Sequence, residues 1–328
     1  MKTQFTLLSL MLLTMFSCNL KSKTTMQDKE TNPLLCDPET GVCEVPEDSA
    51  KGQSNADLSS KHRIKVIYYT DPICSSCWGI EPQLRKLKLE YGRHLDIEYR
   101  MGGLLPDWSY NSGGISKPSD VAHHWDEVSA IYDMPIDGDV WLEDPLPSSY
   151  PPSIAFKAAQ MQNEKIAIDF LRRIREMVFL EKKNITKWEH LETAAKETGL
   201  DIKQLKSDYE NEAIRLFNED LALGKELGVR GFPSVFFIDS SNNRELVYGS
   251  RPYEVYEFVV QKLYPEAKKQ EYDQTAAGLF QTFKTLTAKE FSILSNTNRN
   301  VSGALLESDV ASGLLKSTAT KNGNLYYR

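Results

Sequence analysis

No cysteine follows Cys77, no apolar run reaches the length of an ordinary membrane-spanning helix, and positive charge is in deficit. Each absence narrows what the chain can do. All five cysteines, Cys18, Cys36, Cys43, Cys74 and Cys77, precede residue 78, so the core of this 328-residue chain does not depend on disulfides. Thiol chemistry, if any, belongs to the N-terminal end. Acidic residues outnumber basic ones, 46 to 39, and the pI is near 5.4, which argues against nucleic acid as a partner. The apolar stretch at residues 5–16, broken only by Thr and Ser, is well short of the roughly 20 residues a spanning helix needs. What is present is ample apolar material, 41% of residues, enough for one large domain or two smaller ones.

The N-terminal region reads as a leader and a tether. Lys2 followed by the short apolar run has the form of a signal peptide over residues 1–17. The run ends in "MFSC", and small Ser17 before Cys18 resembles a bacterial lipobox, whose cysteine becomes the lipidated first residue of the mature chain. Met15 and Phe16 replace the commoner Leu and small residue, and cleavage further along, discarding Cys18, is the alternative. Either route exports the protein to a compartment where disulfides persist. The expectation is a periplasmic-side protein anchored to a bacterial membrane by lipid on Cys18. Residues 18–62 are polar and without periodicity, a flexible tether.

Within it lies "CDPETGVC", residues 36–43, in which Asp37, Pro38 and Gly41 are turn formers. The spacer can fold back and bring Cys36 and Cys43 within disulfide range. Closing so short a loop constrains little chain entropy, so a purely structural staple explains it weakly. Three readings stand: a local clip, a second redox pair that exchanges with Cys74 and Cys77, or a metal site shared by all four thiols.

From Arg63 onward the pattern is α/β. "RIKVIYYT" is a buried strand, and "CWGIEPQLRKLKLEYG" is helical with Ile80, Leu84, Leu87 and Leu89 broadly on one face and Pro82 as a source of a kink. "HLDIEYRMGGLL" alternates Leu95, Ile97, Tyr99 and Met101 at period two, completing a βαβ unit. Residues 107–227 turn helical. "PSIAFKAAQMQNEKIAIDFLRRIREMVFLEKK" has three- and four-residue apolar spacing, and two further helices follow. Thr186 is a candidate N-cap, and Gly199 and Gly228 are candidate stops. "PSVFFID", "RELVYG" and "YEVYEFVVQKLYP" then give two strands and a helix. The outline is a thioredoxin fold over residues 63–268 with a helical domain inserted. A small, mainly helical extension follows at residues 269–328, helices and then a strand or wing in "NGNLYYR". Its charges balance, giving no basic face for DNA, so it reads as a packing or partner-binding appendage.

The chemistry is carried by "CSSC", Cys74 to Cys77, at the strand-to-helix junction. Free N–H groups and partial positive charge at a helix start stabilise a thiolate, so Cys74 is expected to have a lowered pKa and act as nucleophile. Cys77, one turn on, closes the disulfide. Zinc uses the same spacing but needs a second Cys/His pair, and none follows. His123 and His124 are adjacent and read as a solvated face. No metal and no organic cofactor are expected.

A distant stretch, "GVRGFPSVFFID", adds a proline opening a buried strand, where Pro cannot donate to the ladder. With the CxxC, this chain resembles the DsbA-like branch of the thioredoxin superfamily over residues 63–265. Trp78, Asp71-Pro72 and "MGGLLPDW" are similar to the FrnE-like and SpxH-like members. The resemblance implies that Pro233 is a cis-proline, that Phe232 presents backbone to an extended substrate, and that Trp78 borders the substrate site. It also implies cysteine-containing protein substrates and a membrane or periplasmic redox partner. SpxH-type proteins are cytoplasmic protease adaptors, so a non-catalytic adaptor or chaperone-like binding protein is the alternative. Tyr68 stands where many members place a buried carboxylate, and Glu81 is a candidate for proton transfer. The Ser-Ser dipeptide lacks an imidazole, which implies a less oxidising pair than DsbA itself.

Metabolic labelling with a fatty acid should mark the wild-type chain and leave Cys18→Ser unmarked. An unlabelled, soluble wild type would show that the lipobox is not used.

Overall fold

The computed structural model describes residues 36–37, 40–44, 63–109 and 117–328. The expectations for the signal peptide, for Cys18 and for most of the tether lie outside the described residues.

Two short strands, β1 (Cys36–Asp37) and β2 (Val42–Glu44), pair antiparallel as a hairpin. β3 (Ile64–Thr70) leads into α1 (Ser75–Gly79) and α2 (Glu81–Tyr91), and β4 (Leu95–Met101) returns parallel to β3. α3 (Pro118–Tyr132) and α4 (Val140–Glu143) precede the long pair α5 (Tyr150–Gln162) and α6 (Glu164–Leu180). α7 (Trp188–Thr198), α8 (Ile202–Glu210) and α9 (Glu212–Glu226) complete the insertion. β5 (Gly231–Phe232), β6 (Ser234–Ile238), β7 (Arg244–Tyr248) and α10 (Tyr253–Leu263) close the thioredoxin unit. The C-terminal module runs α11 (Ala276–Thr282), β8 (Thr285–Thr287), α12 (Ala288–Ser295), α13 (Arg299–Ala311), β9 (Lys316–Thr320) and β10 (Gly323–Tyr327).

The central sheet has the order β4-β3-β6-β7, with only the β3–β4 pair parallel. Strand period two divides its side chains between two cores. Ile64, Val66 and Tyr68 of β3, with Val235 and Phe237 of β6, pack against α2 and α10. Ile67 and Tyr69, with Phe236 and Ile238, face the helical insertion. Asp220 of α9, fully buried, fastens that insertion to the sheet. It accepts from Arg100 (2.8 Å) and from the Met101 N–H (3.0 Å), and pairs with Lys157 of α5 (2.9 Å).

Several helices differ from the sequence reading, each for a local reason. The helix after the CxxC breaks at Ile80, and Pro82 opens the second piece instead of kinking one continuous helix. Asn163 divides α5 from α6 and caps the latter, its side chain accepting from the Lys165 and Ile166 N–H groups. Asn211, with ψ −98°, breaks the second of the two further helices, which the spacing predicts as one over residues 202–228, into α8 and α9. Thr186 is not an N-cap: its hydroxyl bonds Asn184, and α7 starts after Lys187. Gly199 does stop α7 in the left-handed region, and Gly228 follows the end of α9 in the same conformation. Leu89 leaves the face shared by Ile80, Leu84 and Leu87 and packs on the C-terminal module.

That module contains a three-stranded sheet, β8-β10-β9, and the end of "AAGLFQTFKTL", residues 276–286, whose pattern reads as helix, is strand β8. It is fastened through Glu290, a fully buried carboxylate of α12. Arg172 of α6 donates to both its oxygens (2.8 and 3.1 Å), and Arg85 of α2 lies 3.1 Å away. Burial opposes ionisation, but Arg172 and Arg85 hold its carboxyl below the ordinary value. Arg85 also lies over the Phe283 ring, 4.6 Å from its centroid.

Replacing Glu290 by Ala leaves two largely buried guanidinium groups short of a counter-charge. The expected loss is about 3–5 kcal/mol in denaturant unfolding. A loss under about 1 kcal/mol would show that water or rearranged carboxylates replace this contact.

Candidate active site

At the end of β3 the chain turns through Asp71, Pro72 and Ile73 into α1, with Cys74 as N-cap. Asp71 builds this turn. One carboxylate oxygen accepts from the Ile73 N–H (3.0 Å), the other from the Leu104 N–H and the Ser149 hydroxyl, both at 2.8 Å. It thereby joins the CxxC turn, the loop after β4 and the start of α5. Burial outweighs these donors and pushes the Asp71 carboxyl up to about 6.

Cys74 and Cys77 are both free and fully buried. The Cys77 N–H donates to Cys74 Sγ at 3.2 Å, the geometry that favours a thiolate at an N-cap. The expected lowering of Cys74 nevertheless does not appear. Burial, and then the hydrogen bond and charge of Cys77, push the Cys74 thiol well above its ordinary value. Burial also works against Cys77, but the hydrogen bond from Cys74 and the charge of Arg175 outweigh it and lower its pKa. In this arrangement the first negative charge of the pair falls on Cys77.

Arg175 of α6, only 1% exposed, lies beneath the pair. It donates to the Thr70 hydroxyl and the Asp71 carbonyl (3.2 Å), and faces Glu81 at 3.3 Å. Glu81 also lies 3.5 Å from Arg85. Its connection to the thiols therefore runs through Arg175. Tyr68, in the place of the usual carboxylate, is buried with its hydroxyl 3.0 Å from that of Thr70, and burial raises its pKa.

The Phe232–Pro233 peptide is cis. The Phe232 ring lies over Gly102, where an added Cβ would come within 1.8 Å of it, which explains one glycine of "MGGLLPDW". The edge of β5, which the resemblance assigns to substrate, is paired with β2: Cys43 opposite Phe232 and Glu44 opposite Gly231. Cys43 is disulfide-bonded, and its Sγ lies 3.3 Å from Cys74 Sγ. The β1–β2 register places Cys36 directly opposite Cys43.

Trp78, expected to border the substrate site, packs inside the core. It is fully buried, stacked on Phe179 at 5.5 Å, covered by Arg172 and hydrogen-bonded to the Pro135 carbonyl. The serines turn inward too, and Ser76 shares a hydrogen bond of 2.6 Å with Tyr132. His123 is exposed, but His124 is buried, and burial lowers its pKa to about 4. Sequence reasoning missed Arg175, Thr70 and the role of Asp71. A signal for Arg175 existed, since it sits four residues from both Leu171 and Phe179, on the buried face of α6.

The fold and this site define a dithiol protein of the thioredoxin type, and residues 68–258 match the family described as Thioredoxin. The chain belongs to the thioredoxin superfamily. It is 38% identical to the ClpXP adapter protein SpxH of Halalkalibacterium halodurans, over 69% of this chain and 74% of that one. The SpxH of Bacillus subtilis is 29% identical over 71% of this chain and 79% of its own. Among solved structures, a candidate protein disulfide isomerase from Nitrosomonas europaea superposes with a TM-score of 0.54 at 20% identity, covering 61% of this chain and 97% of its own. The cytosolic disulfide reductase DsbM from Pseudomonas aeruginosa gives 0.50 at 21%, covering 61% and 98%. At these identities the two structures establish the fold.

Asp71 sets a pH dependence. Its folded pKa, about 6, lies above the ordinary 3.8, so the native state holds the proton more tightly than the unfolded chain. Its stabilising contribution is full below pH 3.8 and is lost as pH rises to about 6. The loss is on the order of 3 kcal/mol. Unfolding free energies of wild type and Asp71→Asn across this window should differ by that slope. Parallel curves would show that Asp71 does not titrate there.

Proposed function

We propose that this protein is a thiol–disulfide oxidoreductase for cysteine-containing protein substrates. It works on the periplasmic side of a bacterial membrane, held there by lipid on Cys18. The observation that carries the activity is the dithiol itself: two free cysteines, hydrogen-bonded to each other, above a buried arginine, with Cys74 against Cys43, which pairs with the strand that precedes the cis Pro233. Cys74 is the exchanging residue, because it occupies the N-cap and is the thiol that meets a sulfur from another part of the chain. In the reducing direction, Cys74 thiolate attacks one sulfur of a substrate disulfide and releases the other as thiolate. Cys77, whose negative charge Arg175 stabilises, then attacks Cys74, freeing the reduced substrate and leaving the Cys74–Cys77 disulfide. Oxidation of a substrate dithiol is the same sequence reversed. Pro233 shapes the groove and Phe232 supplies its backbone. Glu81 serves by holding Arg175, which orders the proton distribution of the pair.

A second reading is a binding protein without turnover, favoured by the curated relatives, which are named ClpXP adapter proteins. The leader and the lipobox-like "MFSC" favour an exported role instead.

Insulin reduction separates the two readings, with turnover expected for the wild type and lost in Cys74→Ala. Trapping identifies the roles. In a chain carrying Cys36→Ser and Cys43→Ser, so that Cys43 does not compete, Cys77→Ala should accumulate mixed disulfides with proteins that dithiothreitol releases. Cys74→Ala should accumulate none. Equal trapping by both would refute the assignment of Cys74, and no turnover in any form would favour the adaptor.

A further inference from the structure

We infer that the N-terminal hairpin is a tethered redox partner of the dithiol, and that Cys43 exchanges directly with Cys74. This rests on the reading of Cys74 and Cys77 as an exchange pair and names what that pair meets first.

Four observations carry it. The two sulfurs lie 3.3 Å apart, a separation at which attack on a disulfide needs no large rearrangement. Their oxidation states are complementary, since Cys43 is disulfide-bonded while Cys74 and Cys77 are free. The hairpin is seated as an added strand, its β2 pairing with the β5 edge that precedes Pro233. Its turn is locked from the other side as well. The Ser250 N–H donates to the Gly41 carbonyl at 2.8 Å, and a Cβ on Gly41, at φ +64°, would come within 2.3 Å of Ser250.

A purely structural clip accounts for none of this. The ring it closes is too short to constrain much chain entropy, and stability gives no reason to aim its sulfur at Cys74. Cys43 instead lies inside the core cluster that contains both active-site cysteines, and Val42 beside it is buried as well. The strand register assigns the second sulfur to Cys36, since residues directly opposed in an antiparallel pair have Cα atoms within disulfide range.

The exchange balances within the chain. Cys74 gives up its proton to water. Cys74 thiolate attacks Cys43 Sγ, the Cys36–Cys43 bond breaks, and Cys36 leaves as thiolate. Cys77, giving up its proton, then attacks Cys74 Sγ and releases Cys43 thiolate. Two electrons and two protons move from the CxxC dithiol to the hairpin, leaving Cys74–Cys77 oxidised and Cys36 and Cys43 reduced. While seated, the hairpin also covers Cys74, so an external disulfide meets the active site only after the hairpin leaves or meets the hairpin thiols in its place.

The test uses the full chain carrying Cys77→Ser, which cannot resolve the first step. Incubation at neutral pH with N-ethylmaleimide captures any thiolate released, and peptide mass spectrometry then locates the bonds. The expected product joins the Cys43 peptide to the Cys74 peptide and carries maleimide on Cys36, at a rate independent of protein concentration. Cys74→Ser should show neither change. A parallel sample carrying Cys36→Ser, Cys43→Ser and Cys77→Ser is offered glutathione disulfide. If it forms a Cys74–glutathione adduct while the first chain keeps Cys43 and Cys74 unjoined, the tethered exchange is overturned and the dithiol reading survives. If neither product forms, both are overturned.

Discussion

A guanidinium buried beneath the two thiols, Arg175, is the constraint on which the rest of the structure depends. A charge removed from water is tolerated only when its donors find partners, so its surroundings are dictated by it. Thr70, the Asp71 carbonyl and Glu81 meet that demand for its two terminal nitrogens, leaving Nε without a partner among the described residues, and thereby fix the end of β3 and the start of α2. The requirement propagates. Glu81 faces Arg85, Arg85 faces Glu290, Glu290 is held by Arg172, and Arg172 pairs with Glu176, which accepts from Thr285. A run of alternating charges thus extends from the dithiol through the insertion to the C-terminal module. The module extends the buried ionic structure under the site.

The same charge governs how the thiols ionise. Arg175 acts on both sulfurs but more strongly on Cys77, while burial under the seated hairpin raises Cys74. Ionisation is thereby favoured at Cys77 over the N-cap sulfur. Displacing the hairpin removes part of the burial that opposes ionisation of Cys74 and leaves the Cys77 N–H still donating to it. Reactivity and access are thereby tied to one movement.

The β5 edge makes this coupling natural. A strand edge beside a cis-proline offers unpaired backbone groups, and any extended segment of suitable register satisfies them. Here the chain's own hairpin does so, opposite Phe232, with the ring of Phe232 settled over Gly102. The ladder carries no sequence information in itself, so the edge suits exchange with varied proteins equally well.

Much of this was legible in the sequence because it is local. Period-two strands and the CxxC at a strand-to-helix junction are set by short-range sterics and hydrogen bonding and give the thioredoxin outline, while the resemblance marked Pro233 as cis, as it is. Turn residues between Cys36 and Cys43 likewise foretold that the segment folds back. Other features depend on what approaches from a distance. Trp78 was assigned to the site and packs in the core, because α6 and the loop after α3 cover it. The ionisation order of the thiols was read from a helix end, whereas burial and an arginine from α6 decide it. Asn163 and Asn211 interrupt helical periodicity at single residues that apolar spacing passes over. Sequence alone left Cys43 with three readings, and only the docking of β2 on β5 placed its sulfur against Cys74, since no local pattern encodes which distant edge a strand will pair with.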